Sequence, residues 1–318
     1  MREAVDMTQL VTAAPTAPEG QPEQAKPPRG QFGVVNFFSQ GFLLLWAAMV
    51  VLPLLWAVMS SLKTDKEILS SPWSLPASPQ FDNFGRAWNS GHIGTFFVNT
   101  VIVLAGGVTI TMVVGSMAAY VLARYSFPGN RVIYYAFVAG LTLPIFLALV
   151  PLFKIVGNLG TIPVIGPYIG LNSYAGLILV YVAFSLPFTV FFLHSFFRTL
   201  PTEIAEAGLL DGASHTTLFS KVMLPMARPG LISIGIFNVI GQWNQYLLPL
   251  VLLQQQSSFD SDHSVLAEGL LNLAVTQGYK SDWSGLFAGM TIAMLPMLVI
   301  YVLFQRQVQA GLTAGTLK

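Results

Sequence analysis

The chain has 318 residues, 54% of them hydrophobic and only 9% charged, with a net charge of +1 and a mean hydropathy of +0.65. A soluble domain carries roughly a quarter charged residues, so this much apolar surface calls for lipid as its solvent. The near-zero charge argues against nucleic acid as a partner, and the lack of cysteine excludes disulfides, thiolate metal sites and cysteine nucleophiles.

Residues 1–33 are rich in Pro, Gln, Ala and Glu, with no apolar run and no signal-peptide order, and read as a disordered cytoplasmic tail. Beyond them, six intervals lack Asp, Glu, Lys and Arg: Arg29 to Lys63, Arg86 to Arg124, Arg131 to Lys154, Lys154 to Arg198, Arg228 to Asp260, and Asp282 to Arg306. Each holds the ~20 apolar residues that cross a ~30 Å hydrocarbon layer. They predict an all-α integral membrane protein with helices over 36–62, 95–123, 131–153, 174–197, 230–253 and 284–305. The start of the fourth interval is punctuated by Gly157, Asn158, Gly160, Pro163, Gly166, Pro167, Gly170 and Asn172, which marks a loop. The runs do not alternate, which disfavours a β-barrel. Pro53, Pro144, Pro187, Pro249 and Pro296 fall inside helices, which membrane spans tolerate when neighbours satisfy the freed carbonyls.

Residues 34–62 thus form a first span, 63–94 an extracytoplasmic loop, 95–306 a five-helix core and 307–318 a cytoplasmic tail. The stretch from Gln254 to Trp283, with Asp260, Asp262, Glu268 and Asp282 against Lys280, reads as a second solvated loop. Gly106, Gly107 and Gly115, and the pair Gly285 and Gly289, predict close helix packing. With the amino terminus inside, ten Lys and Arg lie inside and five outside. The positive-inside rule then places both termini in the cytoplasm.

The internal loop from Arg198 to Pro229 reads as two short helices meeting at a glycine. Pro201 suits a first helical position, and Glu203 and Glu206 favour the positive end of the dipole. Ala205, Ala207 and Gly208 allow close approach, and Asp211-Gly212 breaks the run. Ser214 caps a second helix whose Leu218, Phe219, Val222 and Met223 form an apolar stripe, ended by Pro225. A helix lying in the lipid interface usually has a broad apolar face and a basic polar one. The first helix here has neither, and anionic lipid would repel its two carboxylates, so docking into a protein groove fits better than the interfacial reading.

The run from Glu206 to Ser214, Phe219, and Leu224-Pro225-Met226-Ala227-Arg228-Pro229 resembles the EAA loop of carbohydrate ABC importer permeases, with Gly208 where the family has Ala. Ser60-Ser61-Leu62-Lys63-Thr64, Asn99-Thr100-Val101, Ala118-Ala119-Tyr120, Arg124-Tyr125-Ser126-Phe127-Pro128-Gly129 and Gly311 to Gly315 extend the resemblance. The smaller permease subunit of maltose transporters is one such relative. The resemblance implies a type I ABC importer permease fold in a bacterial plasma membrane. It implies a second permease subunit, two cytoplasmic ATPase subunits and an external sugar-binding protein as partners. It makes 198–229 a coupling loop, with Glu203, Glu206, Ala207, Gly208, Asp211, Gly212 and Pro225 at the ATPase contact and import by alternating access. The stretch from Gln277 to Gly285 resembles amino-sugar or chitobiose importers.

The fifth helix carries a polar seam, with Asn238, Gln242 and Gln245 on one face and Trp243, Asn244 and Tyr246 beside them. Amides and aromatic rings suit sugar hydroxyls and pyranose faces, and they equally suit helix packing. Both readings stand. No phosphate-binding loop is present, so energy, if used, must come from elsewhere, which suits the partner ATPases that the resemblance implies, and no cofactor is called for. His92, His194, His215 and His263 lack metal-ligand spacing, and no catalytic set lies in the spans. The competing readings are a permease for a non-sugar solute and a secondary transporter working without an ATPase; the latter would usually show an internal repeat.

Overall fold

The structure, a computed structural model, describes residues 34–253, 263–280 and 282–314, among which all regular structure is helical. The tail 1–33, Asp260, Asp262 and residues 315–318 lie outside the described residues. The chain divides inside α1 (Val34–Ser61), between Leu52 and Pro53. In the first unit every residue from Asn36 to Leu52 is exposed, and Phe37, Phe42, Leu44, Trp46 and Met49 make it an apolar surface suited to lipid.

In the second unit the end of α1 leads to α2 (Asp65–Ser70), α3 (Asp82–Asn89) and the long α4 (Ile93–Arg124). The predicted loop 63–94 is therefore an ordered cap. Thr64 and Glu67 form a capping box, and the fully buried Lys63 donates to the carbonyls of Ser71 (3.0 Å) and Pro72 (2.9 Å). Asn83 Nδ2 donates to the carbonyls of Ser61 and Lys63, pinning α3 to the end of α1.

α5 (Asn130–Thr142) and α6 (Ile145–Leu159) replace the single helix predicted over 131–153, and they meet at 107°. Leu143 has φ −79° and ψ 117°, the extended backbone a following proline favours, and Pro144 then caps α6. Pro53, Pro187 and Pro296 stay inside their helices as expected. The glycine-rich stretch after α6 holds only the short α7 (Gly166–Ile169) before α8 (Tyr174–Thr199).

α9 (Thr202–Leu210) and α10 (His215–Leu218) follow, and a π-helical turn (Phe219–Met223) joins α10 to α11 (Leu224–Met226). The fifth span turns by 77° between His215–Met226 and α12 (Arg228–Trp243), and it breaks again at Asn244 before α13 (Leu247–Leu252). α14 (Leu266–Lys280) and α15 (Trp283–Ala314) complete the fold. Among the described residues four helices are long and apolar enough to cross a membrane unbroken, and the number rises to six if each of two bent pairs is one span.

α4 and α8 form the most extensive pairing, with α12 packed on both. Glycines set their separation. A Cβ on Gly106 would stand 2.8 Å from Ile178 Cδ1, and one on Gly115 would stand 2.6 Å from Thr189 Cγ2. Of the Gly285 and Gly289 pair in α15, Gly289 serves such packing, against Leu270 and Ile93, whereas Gly285 sits over the Asp282 carboxylate that caps the helix.

The stretch read as a solvated loop holds α14 instead. Asn99 Nδ2 donates to Ser264 O (2.9 Å), and the backbone N–H of Leu266 donates to Thr100 Oγ1 (2.7 Å). Hydroxyl and amide groups on α4 thus fix the start of α14, and Leu266, Leu273 and Leu286 are buried beside it. Glu268, counted among the loop's solvated acids, is 1% exposed, and its Oε2 has no hydrogen-bond partner.

Burial raises the Glu268 carboxyl from 4.5 to about 7. Between those values the folded protein keeps a proton that the unfolded chain releases, so stability falls as pH rises from 4.5 to about 7. Thermal unfolding of the purified protein should show this slope, and Glu268→Gln should flatten it. An unchanged slope in Glu268→Gln would contradict this placement.

Candidate functional site

The segment between α8 and α12 folds as the sequence anticipates, with local differences at Pro201 and Pro225. Pro201 caps α9 and Thr202 takes the first helical position, so Glu203 lies in the first turn, where the dipole favours a carboxylate. α9 ends in a Schellman turn: the N–H of Gly212 donates to Leu209 O (3.0 Å) and that of Ala213 to Gly208 O (3.0 Å). Gly212 has φ +83°, a left-handed backbone that costs other residues about 1–2 kcal/mol. Ser214 then caps α10, accepting from the N–H of Thr217.

Pro225 does not end the second arm. The N–H of Leu224 reaches back to Phe219 O, and this π-helical turn gives the proline ring room while the helix continues to Met226. Gly208, the departure from the family pattern, faces Leu218, where a Cβ would stand 2.9 Å from Cδ1 and the leucine side chain would have to shift. Leu218 and Met223 are fully buried with Phe197 and Val190, and Phe219 and Val222 pack beside them, so the apolar stripe roots the loop in the helices. Glu203, Glu206, Ala207 and Asp211 remain exposed, together with Leu209 and the almost fully exposed Leu210. The free face of α9 is acidic and apolar.

Sequence reasoning missed what holds this loop. Arg124, the last residue of α4, donates from Nη2 to Leu200 O (2.6 Å) and from Nη1 to Thr202 Oγ1 (3.2 Å). Tyr125 Oη pairs with His215 Nδ1 at 2.9 Å. Asn130 Nδ2 donates to the carbonyls of Leu122 and Tyr125 and so fixes the intervening turn. The available signal was a charged residue closing a span just before Pro128-Gly129.

The polar seam on α12 separates into two parts. Asn238, Gln242 and Trp243 are buried within the chain. Asn238 Nδ2 donates to Thr189 Oγ1 (2.9 Å) and Ile234 O (3.1 Å), and Gln242 Nε2 to Ser185 Oγ (3.1 Å). The Gln242 amide lies on α4 where Gly107 leaves room, and its Oε1 is buried without a partner. The Trp243 ring packs edge-on against Phe97 at 5.7 Å. Asn244 is exposed and bonds its own helix at Ile240 O, Gln245 Oε1 accepts from the N–H of Leu247, and Tyr246 is 46% exposed. His194 is buried against the Tyr134 ring, and among the described residues no cluster of His, Asp and Glu could hold a metal ion.

Residues 111–313, which include both the loop and the seam, match the family of the binding-protein-dependent transport system inner membrane component. The chain belongs to that family. It is 47% identical over 280 residues to the diacetylchitobiose uptake system permease protein of Streptomyces coelicolor, covering 88% of each chain. It is 30% identical over 268 residues to the trehalose transport system permease protein of Mycobacterium tuberculosis, covering 84% of this chain and 92% of that one. A crystal structure of a bacterial ABC transporter involved in the import of the acidic polysaccharide alginate has a chain that superposes with a TM-score of 0.70 at 19% identity, covering 88% and 99% of the two chains. That likeness concerns the fold. The resemblance to carbohydrate ABC importer permeases is borne out, and the chain is a transport permease subunit, not an enzyme.

Hydrogen bonds between membrane helices contribute about 0.6 kcal/mol on average and at most about 1.7. Asn238→Ala and Gln242→Ala should therefore lower the permease's thermal stability modestly. Asn238→Ala should cost more, because Gln242 already leaves one oxygen unpaired. Solute preference should not change; a changed preference in either variant would put these amides on the transport path.

Proposed function

We propose that this permease forms half the translocation pore of an ATP-driven importer for a disaccharide of the diacetylchitobiose class. A second permease subunit completes the pore, two ATPase subunits drive alternating access, and an external binding protein delivers the sugar. The observation that carries the sugar class is the 47% identity, over 88% of both chains, to a diacetylchitobiose uptake permease. The stretch from Gln277 to Gly285 points the same way.

The free face of α9 supports the ATPase contact. Glu203, Glu206 and Asp211 repel anionic lipid, whereas exposed Leu209 and Leu210 suit a protein groove. Glu206 meets a basic group there, and Gly212 sets the angle between the loop's two arms. The charge bias, with ten Lys and Arg on one side and five on the other, supports a cytoplasmic position for this loop and both termini. Asn244 and Tyr246, exposed where the fifth span breaks, offer an amide and an aromatic face to a passing sugar.

The test is uptake into proteoliposomes loaded with ATP, using the chain with the subunits that co-purify with it and the binding protein. Labelled diacetylchitobiose should accumulate faster than trehalose, and only with ATP. Gly212→Pro removes the N–H donated to Leu209 O and forces φ negative, so it should abolish uptake while insertion stays normal. Transport by the chain alone without ATP, or normal uptake by Gly212→Pro, would overturn this reading.

A further inference from the structure

α4 ends where the loop's two arms begin. Its final turn carries Tyr120, whose ring lies 5.5 Å from Phe197 at the end of α8 and 5.0 Å from Phe219 on the second arm. Past that cluster, Arg124 grips the α8–α9 connection through a backbone carbonyl and a hydroxyl, while Tyr125 holds His215 at the start of α10. The two terminal guanidinium nitrogens use separate acceptors, both in this connection, while Arg124 Nε is buried without a hydrogen-bond partner. Arg suits the task because its planar fork engages two acceptors in one fixed orientation, which a single ammonium cannot.

Neither contact is needed to end the helix. The N–H of Tyr125 already donates to Val121 O, and Asn130 caps the Leu122 and Tyr125 carbonyls. Both side chains instead reach across to a segment 76 to 90 residues away. Deeper along α4, Gly107 and Gly115 lie against Gln242 of α12 and Thr189 of α8. A single rigid helix therefore connects the loop to the seam.

We propose that Arg124 and Tyr125 are positioning residues that clasp both arms of the 198–229 loop and pass the loop's displacement directly to α4. α9 then cannot move without carrying α4 with it. The proposal rests on the ATP-driven reading above.

The chain has no cysteine, so with the partner subunits' own thiols removed, spin labels placed at Val113→Cys on α4 and Ile204→Cys on α9, both exposed and neither among the residues proposed to meet the ATPase, report on these two helices. Their separation is measured in the complete reconstituted transporter, nucleotide-free and trapped with ATP and vanadate. With the clasp intact the separation should hold between states. In Arg124→Gln it should change by more than about 2 Å, beyond an ordinary helix shift, with ATP hydrolysis retained. Arg124→Lys should fall between, and Thr202→Val, which deletes one acceptor, should give a smaller change; Tyr125→Phe releases the second arm. A separation that stays fixed in Arg124→Gln overturns the proposal. So does parallel loss of assembly and hydrolysis in both Arg124→Gln and Arg124→Lys, which marks a purely structural role. If no ATPase co-purifies with the parent, the transport reading itself fails and takes this inference with it; a bound ATPase with unaffected variants refutes the clasp alone.

Discussion

α4 and α8 run side by side in close contact, with Gly106 facing Ile178 and Gly115 facing Thr189. Lipid gives no hydrophobic reward for bringing two apolar helices together, so association depends on tight packing and on polar contacts buried between helices. Both are concentrated here. Thr189 meets Gly115 with its methyl group and takes the Asn238 amide on its hydroxyl, so one side chain joins α4, α8 and α12. Asn99 and Thr100, nearer the other end of α4, donate and accept the bonds that seat the start of α14. The loop's apolar arm then closes on Tyr120, Val190, Leu193 and Phe197, again from α4 and α8. Removing this pair would leave α5 and the loop's apolar arm without the helices they pack on.

The polar groups inside the spans serve chiefly as joints. Asn238 and Gln242 are each weak as single bonds, and neither faces open space. Their combined effect is to fix the rotation of α12, which decides where the chain exits at Asn244 and which residues stand free there. Asn244 and Tyr246 owe their exposure to the break that follows Trp243, itself locked by Phe97.

Long apolar intervals, the Asp211-Gly212 break, the Ser214 cap and the glycine contacts of α4 were all legible in the sequence, because each rests on a local rule or on composition. What was not legible rests on long-range competition. Pro144 and Pro187 look alike in sequence, yet one breaks its span and the other stays within a helix, packed against Gly140 of α5. α14 was hidden by Glu268 and its acidic neighbours, which suggested solvent; its apolar face becomes visible only once Phe96 and Leu286 cover it. The two-acceptor grip of Arg124 joins residues 76 apart and has no sequence signature of its own. Pro225 misled for the opposite reason, since a π-helical turn is a local adjustment that periodicity does not anticipate.

The proposed account turns on the free face of α9 meeting an ATPase. The most direct test is the Glu206→Cys variant, whose thiol is the only one in the chain, treated with a short thiol-to-amine cross-linker in membranes containing the whole transporter. The account predicts one adduct whose mass is this chain plus the ATPase, with a yield that changes on ATP binding. A Glu206→Cys variant whose thiol is freely alkylated in the assembled complex and never joins the ATPase would contradict it.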